Sequence, residues 1–179
     1  MSQADELFAI LLDGNGVLRR NAKVDDPEHA ILVFAQGRDA RLDAEALRVT
    51  AERYFGTTVG FTVPKRYVDP LPERDAARVI VAPSATLPGG VRLCVGRRVQ
   101  KEDLVLAKTV DDLQGPAGLY ELAKRCETVW RIERSGEDDR TSLLLAAVFA
   151  STMLGPILTK KALFGVRTAR KMLEAPPTS

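Results

Sequence analysis

The sequence feature that most restricts the fold is an uncharged segment near the carboxyl end, TSLLLAAVFASTMLGPILT, which spans residues 141–159. A helix that is apolar on every side must be surrounded by protein or by lipid. The segment is close to the roughly 20 residues that a helix needs to cross a bilayer. It therefore has to lie in a protein core, in a membrane, or in an interface between subunits.

Two features of this segment favour a protein core. Gly155-Pro156 predicts that the helix ends or kinks inside the segment. Its serine and threonine hydroxyl groups can be buried because they bond to carbonyl groups of the preceding helical turn. We therefore expect a buried core helix.

In the membrane alternative, Lys160 and Lys161 would lie on the cytoplasmic side. In the third alternative, a shared apolar surface would make the protein an obligate oligomer.

The part of the chain up to about residue 98 predicts a sheet of about five strands, because short apolar runs alternate there with loops. One helix is predicted among these runs, over residues 42–56. Asp43 can cap its amino end, and Gly56 can end it. We expect this helix to cover the sheet. The predicted strands are ELFAILL, HAILVFAQG, TTVGFTV, ARVIVA and VRLCV.

The later part of the chain predicts helices. The candidate segments are KEDLVLAKTVDDL, PAGLYELAKRCETVWRIER, TSLLLAAVFASTML and ILTKKALFGVRTARKML. The predicted fold is therefore α/β (or α+β), with an N-terminal sheet and a C-terminal helical portion of three to four helices. We expect an α/β portion over residues 1–98, a helical portion over 99–173 packed on it, and a flexible tail over 174–179.

Composition excludes several kinds of functional site. His29 is the one histidine, so His-rich metal sites are excluded and a Ser-His-Asp triad would depend on that residue alone. Cys94 and Cys126 form no CxxC pair, so we expect neither a disulfide framework nor a structural zinc site. We expect no metal or other cofactor. The start, MSQADELFAILL, does not resemble a secretory signal, which predicts a cytoplasmic location.

Residues 13–16, Asp-Gly-Asn-Gly, follow the apolar run ELFAILL and have two interpretations. In the first, they form the turn of a hairpin, and VLRRNAKV returns as the second strand. In the second, a buried central strand delivers Asp13 to the mouth of an α/β sheet, where ligands usually bind. If ELFAILL is parallel to ARVIVA, Asp13 and Ser84 should lie at the same edge of the sheet.

The segment LLDGNGVL resembles the nucleophile motif of the haloacid dehalogenase superfamily, in which Asp-x-Asp-Gly follows an apolar strand. The resemblance implies that Asp13 is the nucleophile, that Mg²⁺ is the cofactor, and that Ser84 contributes from the end of ARVIVAP. It also implies a lysine in the same site. The candidates for that lysine are Lys101, Lys108 and Lys124.

The last predicted helix carries a basic face. Cations on an amphipathic helix can bind an anionic membrane surface or a nucleic-acid backbone, or they can simply face water. Nucleic-acid binding is not supported, because no aromatic residues interleave with the basic ones as they do in base-stacking surfaces. The candidate binding residues are Lys160, Lys161, Arg167, Arg170 and Lys171.

Taken together, these patterns favour a non-enzymatic cytoplasmic module that binds another protein, or another copy of itself, through its C-terminal helices. The first alternative is an α/β hydrolase or phosphotransferase that uses Asp13. The second is a membrane-associated protein that uses residues 141–159 and the basic final helix.

Overall fold

The computed structural model describes residues 29–38, 41–62, 74–115 and 118–176. The predicted strand ELFAILL and the loop that carries Asp13 lie outside these residues. Within them there are seven strands and five helices. In chain order these are β1 (Ala30–Ala35), α1 (Ala44–Phe55), β2 (Val59–Thr62), β3 (Arg74–Val81), β4 (Gly90–Arg98), α2 (Lys101–Gln114), α3 (Leu119–Lys124), β5 (Thr128–Glu133), α4 (Arg140–Met153), β6 (Ile157–Leu158), β7 (Leu163–Phe164) and α5 (Val166–Glu174).

The seven strands form one sheet in the order β2-β3-β4-β5-β1-β6-β7. Every neighbouring pair is antiparallel. The strand β1 lies inside the sheet and pairs with β5 from Ala30 opposite Glu133 to Ala35 opposite Thr128. The protein is therefore a mixed α and β structure in which strands from both halves of the chain complete a single antiparallel sheet.

The predicted division into an N-terminal sheet and a C-terminal helical portion is wrong, because β5, β6 and β7 all follow residue 98. The segment 116–134 was expected to be one helix, but TVWRIE within it forms β5. Its β-branched and aromatic residues suit a strand, with Val129 in one core and Trp130 and Ile132 in the other. Residues 157–164 form a short hairpin, so the last helix begins only at Val166.

The helices α1, α4 and α5 cover one face of the sheet, and α4 is the centre of this core. Its residues from Leu144 to Ala150 are all buried, which confirms the prediction of a buried helix there. Phe149 packs on Trp130 of β5, with ring centroids 5.5 Å apart. Burying a large apolar side chain contributes about 1.5–3 kcal/mol. In the part of the chain that the structure describes, no helix has the length and apolar character to span a membrane.

The helices α2 and α3 cover the other face over β1, β5, β6 and β7, where Leu32, Phe34 and Val129 lie in a second core. A side chain of α2 also protects the edge strand β7. The Gln114 amide donates to the Leu163 carbonyl oxygen at 2.6 Å and accepts from its N–H at 3.1 Å. Both backbone groups of Leu163 are thereby satisfied, which keeps this edge from pairing with another strand.

The helix α4 ends at Leu154, whose φ of 59° is left-handed and whose N–H donates to the Ala150 carbonyl at 2.9 Å. This conformation costs a leucine roughly 1–2 kcal/mol. Leu154 is 64 % exposed, so replacing it loses little burial. We expect Leu154→Gly to raise the free energy of unfolding by about 0.5–1 kcal/mol, after the larger backbone entropy of glycine is subtracted.

Urea denaturation measures this change, and Leu113→Gly is the matched control. Leu113 is 83 % exposed and lies within α2, where a glycine should destabilise the protein by about 0.5–1 kcal/mol. A loss of stability in both variants would contradict the assignment of backbone strain to Leu154.

Candidate functional site

A cavity of about 510 Å³ lies beside α5, between β1, the loop that precedes α4, and the β6–β7 turn. We call it the α5 cavity. Apolar side chains from four elements line it, namely Ile31, Leu143, Phe164 and Met172. Charged residues from the loop and from the turn share the same lining: Arg134, Glu137, Asp138, Asp139, Arg140, Lys160 and Lys161.

Asp139 fixes the loop at the cavity. Its carboxylate accepts from Arg92 through Nε at 2.9 Å and Nη2 at 2.8 Å, from the Ser135 N–H at 2.9 Å, and from the Ser142 N–H at 3.1 Å. The last of these bonds caps α4. Burial raises the pKa of Asp139, but the bonds from Arg92, Ser135 and Ser142 outweigh it and hold the pKa well below its ordinary value. The carboxylate is therefore ionised and already fully engaged.

Arg140 joins the start of α4 to the end of α5. Its guanidinium donates to the carbonyl oxygens of Met172, at 3.4 Å, and of Leu173. The last carbonyl groups of a helix have no partner within the helix and carry partial negative charge, so a cation there is stabilising. This contact holds α5 against the cavity, which Met172 and Arg140 both line.

An ion pair joins the loop to the β6–β7 turn. Lys161 Nζ lies 2.7 Å from Glu137 Oε2, and both side chains are exposed. The hydrogen bond and the charge of Lys161 lower the pKa of Glu137 below its ordinary value. The turn itself is held by Thr159, whose hydroxyl oxygen accepts from the N–H groups of Lys161 at 3.3 Å and Ala162 at 3.1 Å. Because an exposed pair is worth little, a ligand anion can compete with Glu137 for Lys161.

The structure brings together two of the five predicted basic binding residues and separates the others from them. Lys160 and Lys161 line the α5 cavity. Arg167 and Lys171 are exposed on α5 and do not line the cavity. Arg170 lies over the ring of Phe55 and lines a different cleft. The five residues therefore do not all line one cavity.

The residues implied by the dehalogenase resemblance are only partly described. Asp13 lies outside the described residues, so its pairing with Ser84 is untested. Ser84 is exposed in the loop after β3, where its Oγ accepts from the Thr86 N–H at 3.3 Å, as in an ordinary turn. Of the candidate lysines, Lys108 pairs with Asp112 at 3.1 Å, and Lys124 pairs with Glu121 at 2.8 Å. Across the described ranges no three His, Cys, Asp or Glu side chains form a group that could hold a metal ion.

Neither cysteine is a reactive thiol. Cys94 is fully buried in β4, and burial, with a smaller effect from the charge of Glu133, raises its pKa far above the ordinary value. Burial raises the pKa of Cys126 to about 11. Because the thiolate is the nucleophilic form, both groups are inert at neutral pH.

The cationic residues Arg134 and Arg140 and the apolar lining of the cavity were not predicted from the sequence. The charge-rich segment ERSGEDDR was the available signal, since it contains Arg134, Glu137 and Arg140. The sequence alone does not show that this segment faces the β6–β7 turn, because that turn was expected to be part of a helix.

The α5 cavity can enclose an apolar group and hold a negative charge at its rim. Thr159 is the one hydroxyl residue in its described lining, and the oxygen of that hydroxyl already accepts hydrogen bonds within the β6–β7 turn. Comparison with protein-family models, with curated proteins and with solved structures found no match to this chain.

Proposed function

We propose that the protein is a non-enzymatic binding protein whose α5 cavity takes a small amphipathic anion, that is, an apolar body that ends in a carboxylate or phosphate group. The observation that carries the proposal is one cavity of about 510 Å³ whose lining holds apolar residues, four cations and three carboxylates, two of which already accept from Arg92 and Lys161. Small-molecule sites have volumes of roughly 300–1,000 Å³ and are mostly apolar, with a few polar groups that orient the ligand.

The two kinds of residue have different roles in this proposal. The apolar residues Leu143, Phe164 and Met172 supply affinity, at about 25 cal/mol for each Å² of apolar surface removed from water. The cations Arg134, Lys160 and Lys161 select a negative head group and orient it at the rim. Because these cations are close to water, each should contribute no more than about 1 kcal/mol.

The location of the apolar residues favours a small ligand over the predicted partner protein. The strongly apolar part of α4, from Leu144 to Ala150, would have supplied the shared surface in the oligomer alternative, but it is buried within this chain. The proposal keeps the expectation of a non-enzymatic protein and replaces the partner. A free fatty acid and an anionic lipid share the required chemistry. An anionic membrane surface, which was one of the partners expected from the sequence, is therefore one source of such a ligand.

Decanoate is a suitable probe, because it has an apolar chain and one carboxylate. In isothermal titration calorimetry we expect decanoate to bind, decanol to bind less tightly, and decyltrimethylammonium not to bind measurably. The variant Arg134→Gln/Lys160→Gln/Lys161→Gln should weaken decanoate binding by about tenfold. It should leave decanol binding unchanged, because decanol carries no charge.

The matched control is Arg167→Gln/Lys171→Gln, which removes cations from the exposed surface of α5 outside the cavity. This variant should bind decanoate as the unaltered protein does. Vesicles that contain an anionic phospholipid distinguish the two sources of the ligand, since a protein specific for membrane lipid should bind vesicles more tightly than free decanoate. Equal weakening by both variants, or no binding of decanoate, would overturn the proposal.

A further inference from the structure

A second cleft, of about 240 Å³, lies between the end of α1, the loop after β3, and α5. The residues of α5 that line it differ from those that line the α5 cavity. Leu87, Leu144 and Leu173 give it apolar walls, and Arg170 and Glu174 add one positive and one negative charge. Its volume is below the roughly 300–1,000 Å³ of typical ligand sites, which limits any ligand to a molecule of a few heavy atoms.

Arg170 is held in a fixed position at this cleft. Its Cζ lies 4.7 Å from the centroid of the Phe55 ring, and its Nη2 donates to the Tyr54 carbonyl oxygen at 3.0 Å. Its Nε is buried without a hydrogen-bond partner in the described part of the chain. A guanidinium group has five N–H donors, so this one retains donors that the described residues do not use. Because the stacked group is already ordered, a ligand carboxylate would bind it at little entropic cost.

Glu174 follows Arg170 by one helical turn, and residues four apart lie on the same side of a helix. Its side chain is exposed and lines the same cleft. Within the described residues, the hydrogen bond of Arg170 goes to Tyr54 and not to Glu174. Two opposite charges therefore face one cleft without neutralising each other. A ligand that carries both charges would satisfy them together, whereas a multiply charged anion would be repelled by Glu174.

We propose that this cleft binds a free α-amino acid with an apolar side chain as its zwitterion. The carboxylate of the ligand binds Arg170, its ammonium group binds Glu174, and its side chain packs on Leu87, Leu144 and Leu173. The site is separate from the α5 cavity, and it does not depend on the function proposed for that cavity.

L-Leucine is the probe, with two analogues that each lack one charge: 4-methylpentanoate has no ammonium group, and isoamylamine has no carboxylate. Calorimetry of the full chain should give a Kd for leucine below about 1 mM. Each analogue should bind at least about tenfold more weakly, because each loses one charge-assisted hydrogen bond.

Glu174→Gln is the decisive variant, because the residue is exposed and the change keeps its size. It should weaken leucine binding by about tenfold and should not weaken the binding of 4-methylpentanoate, which has no ammonium group for Glu174 to bind and a carboxylate that Glu174 repels. Glu102→Gln, at an exposed glutamate in the first turn of α2, is the matched control and should bind leucine normally. The proposal is overturned if leucine does not bind, if 4-methylpentanoate binds as well as leucine, or if Glu174→Gln binds leucine unchanged.

Discussion

Replacing Gly155 with alanine is expected to lower the free energy of unfolding by about 3 kcal/mol or more. A Cβ at this position would lie 1.8 Å from the carbonyl oxygen of Phe34 and 2.5 Å from its carbonyl carbon. Phe34 belongs to β1, an interior strand of the sheet, so its backbone cannot move aside without breaking the pairing with β5 or β6. Urea or thermal denaturation measures the loss.

The close approach of Gly155 to Phe34 lets the chain leave α4 and pair at once with β1. The Phe34 N–H donates to the Pro156 carbonyl at 3.0 Å, and the Gln36 N–H donates to the Met153 carbonyl at 3.1 Å. The control is Gly60→Ala in β2, where an added Cβ meets nothing within 4 Å. That variant should change the stability by no more than about 0.5 kcal/mol. Equal stability of the two variants would refute the close approach at Gly155.

Much of the local structure could be predicted from the sequence, because it depends on neighbouring residues. The helix α1 begins at the N-cap Asp43, whose side chain accepts from the Ala46 N–H, and ends at a left-handed Gly56, as its sequence predicts. Gly155-Pro156 was likewise recognised as the end of α4. The sequence did not show why glycine is needed there, since the clash is with a strand more than a hundred residues away along the chain.

The errors came from segments whose helical and strand patterns are both plausible. In KRCETVWRIER, apolar residues occur at spacings that suit either structure. Pairing with β4 on one side and with β1 on the other makes the segment a strand. The candidate site was also predicted only in part. Lys160 and Lys161 were identified by their charge, but Ile31 and Leu143 look like ordinary core residues until the cavity beside them is formed. The interpretation of Asp13 stays a prediction.

Replacing Arg92 with alanine is expected to destabilise the protein by about 3–5 kcal/mol at about pH 7. The variant leaves the Asp139 carboxylate in place, with only 2 % of its side chain exposed and no guanidinium to balance its charge. The bonds from Ser135 and Ser142 would remain, but they do not replace a cation. Because Asp139 caps α4 and lines the α5 cavity, binding of decanoate should weaken as well.

The pH dependence separates the charge of Arg92 from the packing of its side chain. In the folded protein the pKa of Asp139 is lowered, so this group stabilises the fold above its unfolded pKa of about 4, and the contribution is lost as the pH falls through the folded value. In the variant the lowering by Arg92 disappears, so burial is opposed only by the bonds from Ser135 and Ser142, and the pKa of Asp139 rises above its value in the unaltered protein. Protonation then removes the uncompensated charge, so the deficit measured in urea should shrink between about pH 7 and pH 3.

The control is Arg48→Ala, because Arg48 pairs with Glu45 and Glu52 on the surface of α1 and is itself 42 % exposed. An exposed pair of this kind should contribute no more than about 1 kcal/mol. A deficit for Arg92→Ala that stays constant with pH would mean that the lost contacts of the arginine stem, and not the stranded carboxylate, destabilise the fold. A deficit that closes in acid would show that the unbalanced charge of Asp139 destabilises the fold where β4, the loop that precedes α4, and α4 meet.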